Sequence, residues 1–226
     1  MTSIAENIEA ARSAISNAAR RSGRSAGDVE LLAVCKTFPA ELVREAVEAG
    51  QRLFGENRVQ ELLAKQPQLP SNLRWHLIGH LQSNKVRKML PCVEAVQSVD
   101  SLELARDINR VAAELGLFPK VYLEVNVAAE ASKFGFAPAK LAAQMEDLLA
   151  LDRLEIEGLM CIPPLGREAE DSRKYFVQMR ELRDRLEKEC GAPLSALSMG
   201  MSHDYEIAIE EGATLVRVGT AIFGGR

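Results

Sequence analysis

Eight short apolar runs, ELLAVCK, RLFGE, LRWHLIG, VEAVQSV, KVYLEVNV, LEIEGLMCI, LSALSMG and TLVRVG, recur along this chain with helical spacing between successive runs. No interval is short enough for a hairpin turn, so the strands must be joined through helices and run parallel. Parallel strands covered on both faces read as continuous Val/Ile/Leu runs rather than as alternation, which is the pattern here. Eight such units in 226 residues predict an α/β fold, a TIM (β/α)8 barrel forming one domain over residues 1–226. An open doubly wound sheet is the alternative, but eight similar units suit closure better.

The N-terminal segment predicts an amphipathic helix, because Ile4, Ile8, Ala11, Ile15 and Ala18 repeat at steps of three and four behind a Ser3-x-x-Glu6 capping box. Gly23 and Gly27 close it. Only TAIFGGR follows the eighth run, too little for a full covering helix, so this extra N-terminal helix is expected to pack over the barrel seam. The stripe Tyr175, Phe176, Met179, Leu182 and Leu186 is expected to pack a later helix on the barrel.

Charge is balanced, 28 basic against 32 acidic residues for a net of −4, which argues against nucleic acid or anionic lipid as partner and for a small or locally recognised one. The start MTSIAENIEAARS has no basic segment followed by an apolar run, and nowhere do about 18 apolar residues stand together. The expectation is a soluble, cytoplasmic monomer without a membrane partner. Cys35, Cys92, Cys161 and Cys190 lie far apart with no zinc spacing, and read as buried reduced thiols.

In such barrels the reactive groups gather at the carboxyl ends of the strands. Those ends carry Lys36; Glu56 and Asn57; His76 and His80; Asp100; Asn126; Met160 and Cys161; Ser198 to Ser202; and Arg217, Gly219 and Thr220. Lys36 alone among lysines there directly follows an apolar run. An amine held against apolar walls is more readily neutral and nucleophilic, as Schiff-base chemistry requires; the competing reading is a lysine whose stem lies on the rim with its head in water. Gly219 and Thr220 follow the eighth strand, where backbone N–H groups can hold a phosphate, and SMGMS supplies a second glycine and hydroxyls next door. Either loop alone is better read as an ordinary tight turn; on adjacent strands the two together favour a phosphorylated ligand. Arg217, two residues before Gly219, shares its facing into the mouth, either in an ion pair with Glu56 or Glu124 or as a donor aimed at a ring nitrogen. His76 and His80 stand four apart on a strand rather than a helix, which argues against a shared metal. The basic cluster Asn84 to Lys88 reads as a solvated face.

AVCKTFP, FGENRVQE, WHLIGHLQSNK, EVNVAAEASKFGF, GLMCIPP and LSMGMSHDYEIAIEEGATLVRVGTAIFGGR together resemble the pyridoxal phosphate homeostasis family, single-domain relatives of the barrel domain of bacterial alanine racemase, over roughly residues 5 to 226. The resemblance implies pyridoxal 5′-phosphate (PLP) held as a Schiff base on Lys36, with Arg217 at the pyridine nitrogen and Ser202, Gly219 and Thr220 at the phosphate. Asn57 and His80 fall in motifs lining the same mouth. It also implies a binder and buffer of PLP rather than an enzyme, serving vitamin B6 and amino-acid homeostasis and supplying PLP-dependent apoenzymes. Two considerations agree with that expectation: an arginine facing the pyridine nitrogen weakens the ring as an electron sink, and the chain stops at Arg226 without the racemase's second domain, whose counterpart from the partner subunit supplies a tyrosine base. Cys35 departs from the serine common in relatives, which puts a thiol beside Lys36 that free aldehyde could meet. A PLP-dependent amino-acid racemase of narrow scope and a cofactor-free, aldolase-like enzyme using Lys36 stay as alternatives.

Overall fold

The computed structural model describes residues 2–130 and 133–225. Ala131 and Ser132 of the EVNVAAEASKFGF stretch, and the terminal Arg226, lie outside the described residues. The elements run α1 (Ile4–Arg21), β1 (Glu30–Val34), α2 (Ala40–Glu48), β2 (Leu53–Glu56), α3 (Val59–Lys65), β3 (Arg74–Leu77), α4 (Val86–Met89), β4 (Ala95–Val99) and α5 (Leu102–Leu115). They continue with β5 (Lys120–Glu124), α6 (Pro138–Leu149), β6 (Glu155–Met160), α7 (Arg173–Cys190), β7 (Ala196–Met201), α8 (Tyr205–Glu210), β8 (Leu215–Val218) and α9 (Thr220–Phe223). All eight strands are parallel and close in sequence order, with β8 returning to β1 through Leu31 opposite Val216 and Leu32 opposite Arg217.

Strand alternation sorts the side chains into two shells. Leu31, Ala33 and Cys35 point out under the helices, whereas Leu32 and Val34 point into the barrel with Leu53, Ile78 and Leu215. Across the lumen Ala95, Tyr122, Met160 and Ala196 form a second apolar group. The helices seat on the outer shell through the spaced residues expected: Phe176, Met179, Leu182 and Leu186 of α7 are buried, each worth about 1.5–3 kcal/mol on transfer from water. Tyr175 is not part of that stripe; it is half-buried beneath the Lys174 ammonium, one residue and therefore about 100° off the buried face. Gly200, at φ +91°, lets α8 approach β7: a Cβ there would meet Ala208 and the Tyr205 backbone.

The N-terminal helix does cover the seam. Its capping box is formed by Ser3 and Glu6, Asn7 donates to the Ile222 carbonyl at 2.9 Å, and Arg21 pairs with Glu206 and Glu210 of α8. The basic stretch after β3 is a short α4 flanked by 3₁₀ turns at Ser83–Lys85 and Leu90–Cys92, because Pro91 cannot continue the α-helical ladder. One detail, the burial of the cysteines, differs from the sequence expectation. Cys35 and Cys161 are buried free thiols, while Cys92 and Cys190 are only half-buried. Among the described residues no helix is long and apolar enough to cross a membrane.

Candidate functional site

The alternation that sends Leu32 and Val34 inward carries Lys36 to the mouth, where it lines a 270 Å³ cavity against Val34 and Ile78. Asn57, Ser202, Arg217, Gly219 and Thr220 line the same cavity. Six of the seven residues singled out from the sequence therefore meet at one place. His80 does not: it sits in an adjoining groove of 560 Å³ that shares Asn57 with the cavity. There its Nδ1 lies 3.0 Å from Asp100 Oδ2 and its ring stacks on Phe134.

At the ends of β7 and β8 the backbone makes a compact donor array. The N–H groups of Gly219 and Ala221 converge on one oxygen, Ser202 Oγ, at 3.1 and 3.4 Å. Two amides, from Gly219 and Ala221, that converge on one oxygen beside a hydroxyl make a turn suited to an anion such as a phosphate. Any side chain at position 219 would press on the Val34 carbonyl and Cβ at 3.2 and 3.3 Å, which explains a glycine where α9 begins.

Arg217 is almost completely buried and makes no ion pair with Glu56 or Glu124, correcting that alternative. Its Nη2 donates to the Cys161 carbonyl at 2.8 Å and its Nη1 to Ser198 Oγ at 2.6 Å. Ser198 in turn donates to Gln97 Oε1 at 2.7 Å, and Gln97 Nε2 lies 2.8 Å from His76 Nδ1. A guanidinium can only donate, so every link takes the same direction and His76 Nδ1 ends the relay as acceptor. Burial lowers the His76 pKa to about 4, consistent with a neutral ring. Burial also lowers the Arg217 pKa, with Glu124 acting against it. The Glu124 carboxyl itself is pushed up to about 7, first by burial and then by Asp100.

Glu56 faces outward instead of into the mouth: it is fully buried beside Lys65, and Cys35 Sγ approaches its carboxylate at 3.3 Å. The expectation of a thiol exposed beside Lys36 fails for the same reason. Cys35 is inaccessible on the outer face, and burial raises its pKa well above the ordinary thiol value. Sequence reading missed Gln97 altogether; the signal was a lone amide at an inward position of the apolar run VEAVQSV. It also missed Ile162 and Leu165, apolar side chains from the loop after β6 that wall the cavity while staying partly or largely exposed. A cavity of 500 Å³ at the opposite rim is a poorer candidate, since Arg12 and Arg52 there are engaged by backbone carbonyls and Arg74 by Glu30 and Glu94.

The family described as alanine racemase, N-terminal domain, matches residues 7–226. A pyridoxal phosphate homeostasis protein of Pseudomonas aeruginosa is 47% identical over 228 residues, spanning 100% of this chain and 97% of that protein. One from Aquifex aeolicus is 45% identical over 213 residues, 94% and 93% of the two chains. Among solved structures, PipY of Synechococcus elongatus with PLP bound superposes at a TM-score of 0.87 with 43% identity, covering 98% of this chain and all of that one. Alanine racemase of Clostridium difficile shares the fold at a TM-score of 0.73 and 19% identity; this chain covers 54% of its length.

Proposed function

The chain belongs to the alanine racemase N-terminal domain family, and within it to the pyridoxal phosphate homeostasis proteins; on that premise we propose that it binds PLP at the barrel mouth and holds it as a Schiff base on Lys36. The observation that carries this reading is the convergence of Lys36, Arg217 and the Ser202–Gly219–Thr220 array on one cavity. The donor set fits the group: an amine for its aldehyde, a guanidinium for its pyridine nitrogen, and converging backbone N–H groups for its phosphate. Lys36 would supply the amine that condenses with that aldehyde, with loss of one water. Asn57 flanks the cavity, and His80 stands one groove away, where it would act on whatever approaches the mouth rather than on the ring.

When bound, PLP would supply an electron sink for carbanions, and Arg217, which would donate a hydrogen bond rather than a full proton to the ring nitrogen, would weaken that sink. Among the described residues no tyrosine lines the cavity: Tyr122 lies deep in the lumen and Tyr175 and Tyr205 lie on helices. These features support a protein that holds PLP without robust catalysis, and the same proposal takes it as a cytoplasmic monomer of one domain that buffers PLP and supplies it to PLP-dependent apoenzymes. The purified protein should be yellow, and borohydride should fix the cofactor as a mass addition on the peptide carrying Lys36. Full retention of that addition by Lys36→Ala would sink the assignment.

A single feature favours the second reading, a racemase of narrow scope: Glu124 at the mouth has a carboxyl pKa of about 7, near the value that suits a general acid or base. Incubation with single L-amino acids in deuterated water decides the matter, because α-proton exchange above the Glu124→Gln background would establish that chemistry.

A further inference from the structure

We propose that Glu61 and Lys65 of α3 are positioning residues that hold the backbone on both sides of Lys36, and thereby aim its amine into the mouth. The inference rests on the Schiff-base reading above. Thr37 has φ +66°, one of two non-glycine residues with positive φ among the described residues. A β-branched residue in that region is strained, and such strain persists only where the surroundings impose it.

The surroundings here are one turn of α3. Glu61 Oε2 accepts the Thr37 N–H at 2.9 Å, while Lys65 Nζ donates to the Cys35 carbonyl at 2.7 Å. The peptides before and after Lys36 are thus tied to two side chains spaced i, i+4, whose charged ends lie 3.9 Å apart. Lys65 is 7% exposed and Glu56, its other partner, 0%. A buried ion pair is a costly way to hold a loop, and a glycine at position 37 would adopt the same turn without any clamp. What the threonine with its carboxylate provides is a single fixed exit direction for the Lys36 side chain. Condensation would need that direction, because the amine must reach a carbonyl carbon on a ring whose neighbouring substituent the phosphate array would anchor.

The test separates imine formation from binding by comparing PLP with pyridoxine 5′-phosphate, which carries an alcohol in place of the aldehyde and cannot condense with an amine. Affinities are read from absorbance or calorimetric titration, and the covalent fraction from borohydride trapping and peptide mass. Glu61→Ala should weaken PLP about tenfold while moving pyridoxine 5′-phosphate less than about twofold. Glu61→Gln, which keeps the acceptor oxygen, should stay within about threefold of wild type for PLP. In a Thr37→Gly background the Glu61→Ala penalty should shrink to about twofold or less, since glycine needs no holding. Equal weakening of both ligands, or an undiminished penalty in the glycine background, would show that Glu61 merely stabilises α3 and would overturn the proposal. A wild-type protein without a borohydride-fixed group on Lys36 would overturn the cofactor reading and the clamp together; a labelled wild type matched by Glu61→Ala would overturn the clamp alone.

Discussion

The two ends of the barrel spend their polar groups differently. At the amino end Arg74 is shared between Glu30 and Glu94, Lys120 pairs with Glu157, and Arg12 and Arg52 are taken up by carbonyl oxygens. At the carboxyl end Lys36 and Asn57 line an open cavity, and a half-buried Glu124 carboxyl there is held well above its ordinary pKa. Paired charges on an exposed rim add modestly to stability, whereas polar groups left without protein partners in a concave site retain valences for a ligand. The same scaffold therefore has one end closed on itself and one end open to a ligand, the end at which parallel barrels generally carry their sites.

The sharpest way to break that contrast is at Lys36. Its replacement by alanine should abolish borohydride-fixed cofactor, read by peptide mass, and leave the urea unfolding midpoint near wild type, because the side chain is half-buried and covers little of the core. A large fall in stability would place Lys36 among structural groups and erase the distinction. Next in size is Ser198→Ala, beneath the mouth. It leaves one arm of the buried Arg217 and Gln97 Oε1 without their partner, a loss of about 3 kcal/mol in urea unfolding. A neutral result would mean that water or a shifted side chain replaces the hydroxyl.

The pH dependence sharpens the comparison further, because Glu124 and His76 oppose one another. The Glu124 pKa rises from 4.5 to about 7 on folding, so the folded state binds the proton more tightly and stability falls as pH rises through that window. His76 drops from 6.5 to about 4, so stability rises with pH from about 4 to 6.5. In the overlap the two slopes offset. Glu124→Gln should therefore expose the His76 slope, with a steeper gain between pH 4.5 and 6.5, and should stabilise the protein at pH 8 by about 1–2 kcal/mol after allowance for partial solvent access at the mouth. At pH 4, where both forms of position 124 are neutral, the difference should vanish. A constant offset at every pH would identify packing as the cause.

The strand-helix cadence made the barrel legible, and alternation within single strands made Lys36 and Arg217 legible as members of one inward shell. Residues whose role depends on a partner from a distant element were not. Lys65 stands in RVQELLAK like any surface lysine, and its burial follows only from the outward turn of Glu56, which is set one strand earlier. Gln97 needed the lumen neighbours His76 and Ser198 before its amide had meaning. His80 was drawn toward the mouth by motif continuity, but the chain bends at Gly79, where a Cβ would collide with the Asn57 backbone, and the bend delivers the ring to the next groove. Short-range periodicity fixes facing; it does not fix which loop a residue meets across a turn.

The smallest expected effect tests the closed end. Arg74→Met removes the guanidinium shared by Glu30 and Glu94 while keeping the aliphatic stem over the rim. The Arg74 side chain is 43% exposed, so water screens both pairs and the loss in unfolding free energy should be about 0.5 kcal/mol. Arg74 lowers the Glu94 pKa, which places this contribution above the unfolded carboxylate value and removes it as pH falls through the folded one. High salt should shrink the difference between variant and wild type, as screening replaces the lost partner. Cofactor labelling at Lys36 should not change at all, because no link of the Arg217 relay touches Arg74. If labelling fell with Arg74→Met, charge at the amino end would be reaching the mouth through His76, the one relay member whose pKa already responds to Arg74 and Glu94. The two ends would then have to be treated as one electrostatic unit.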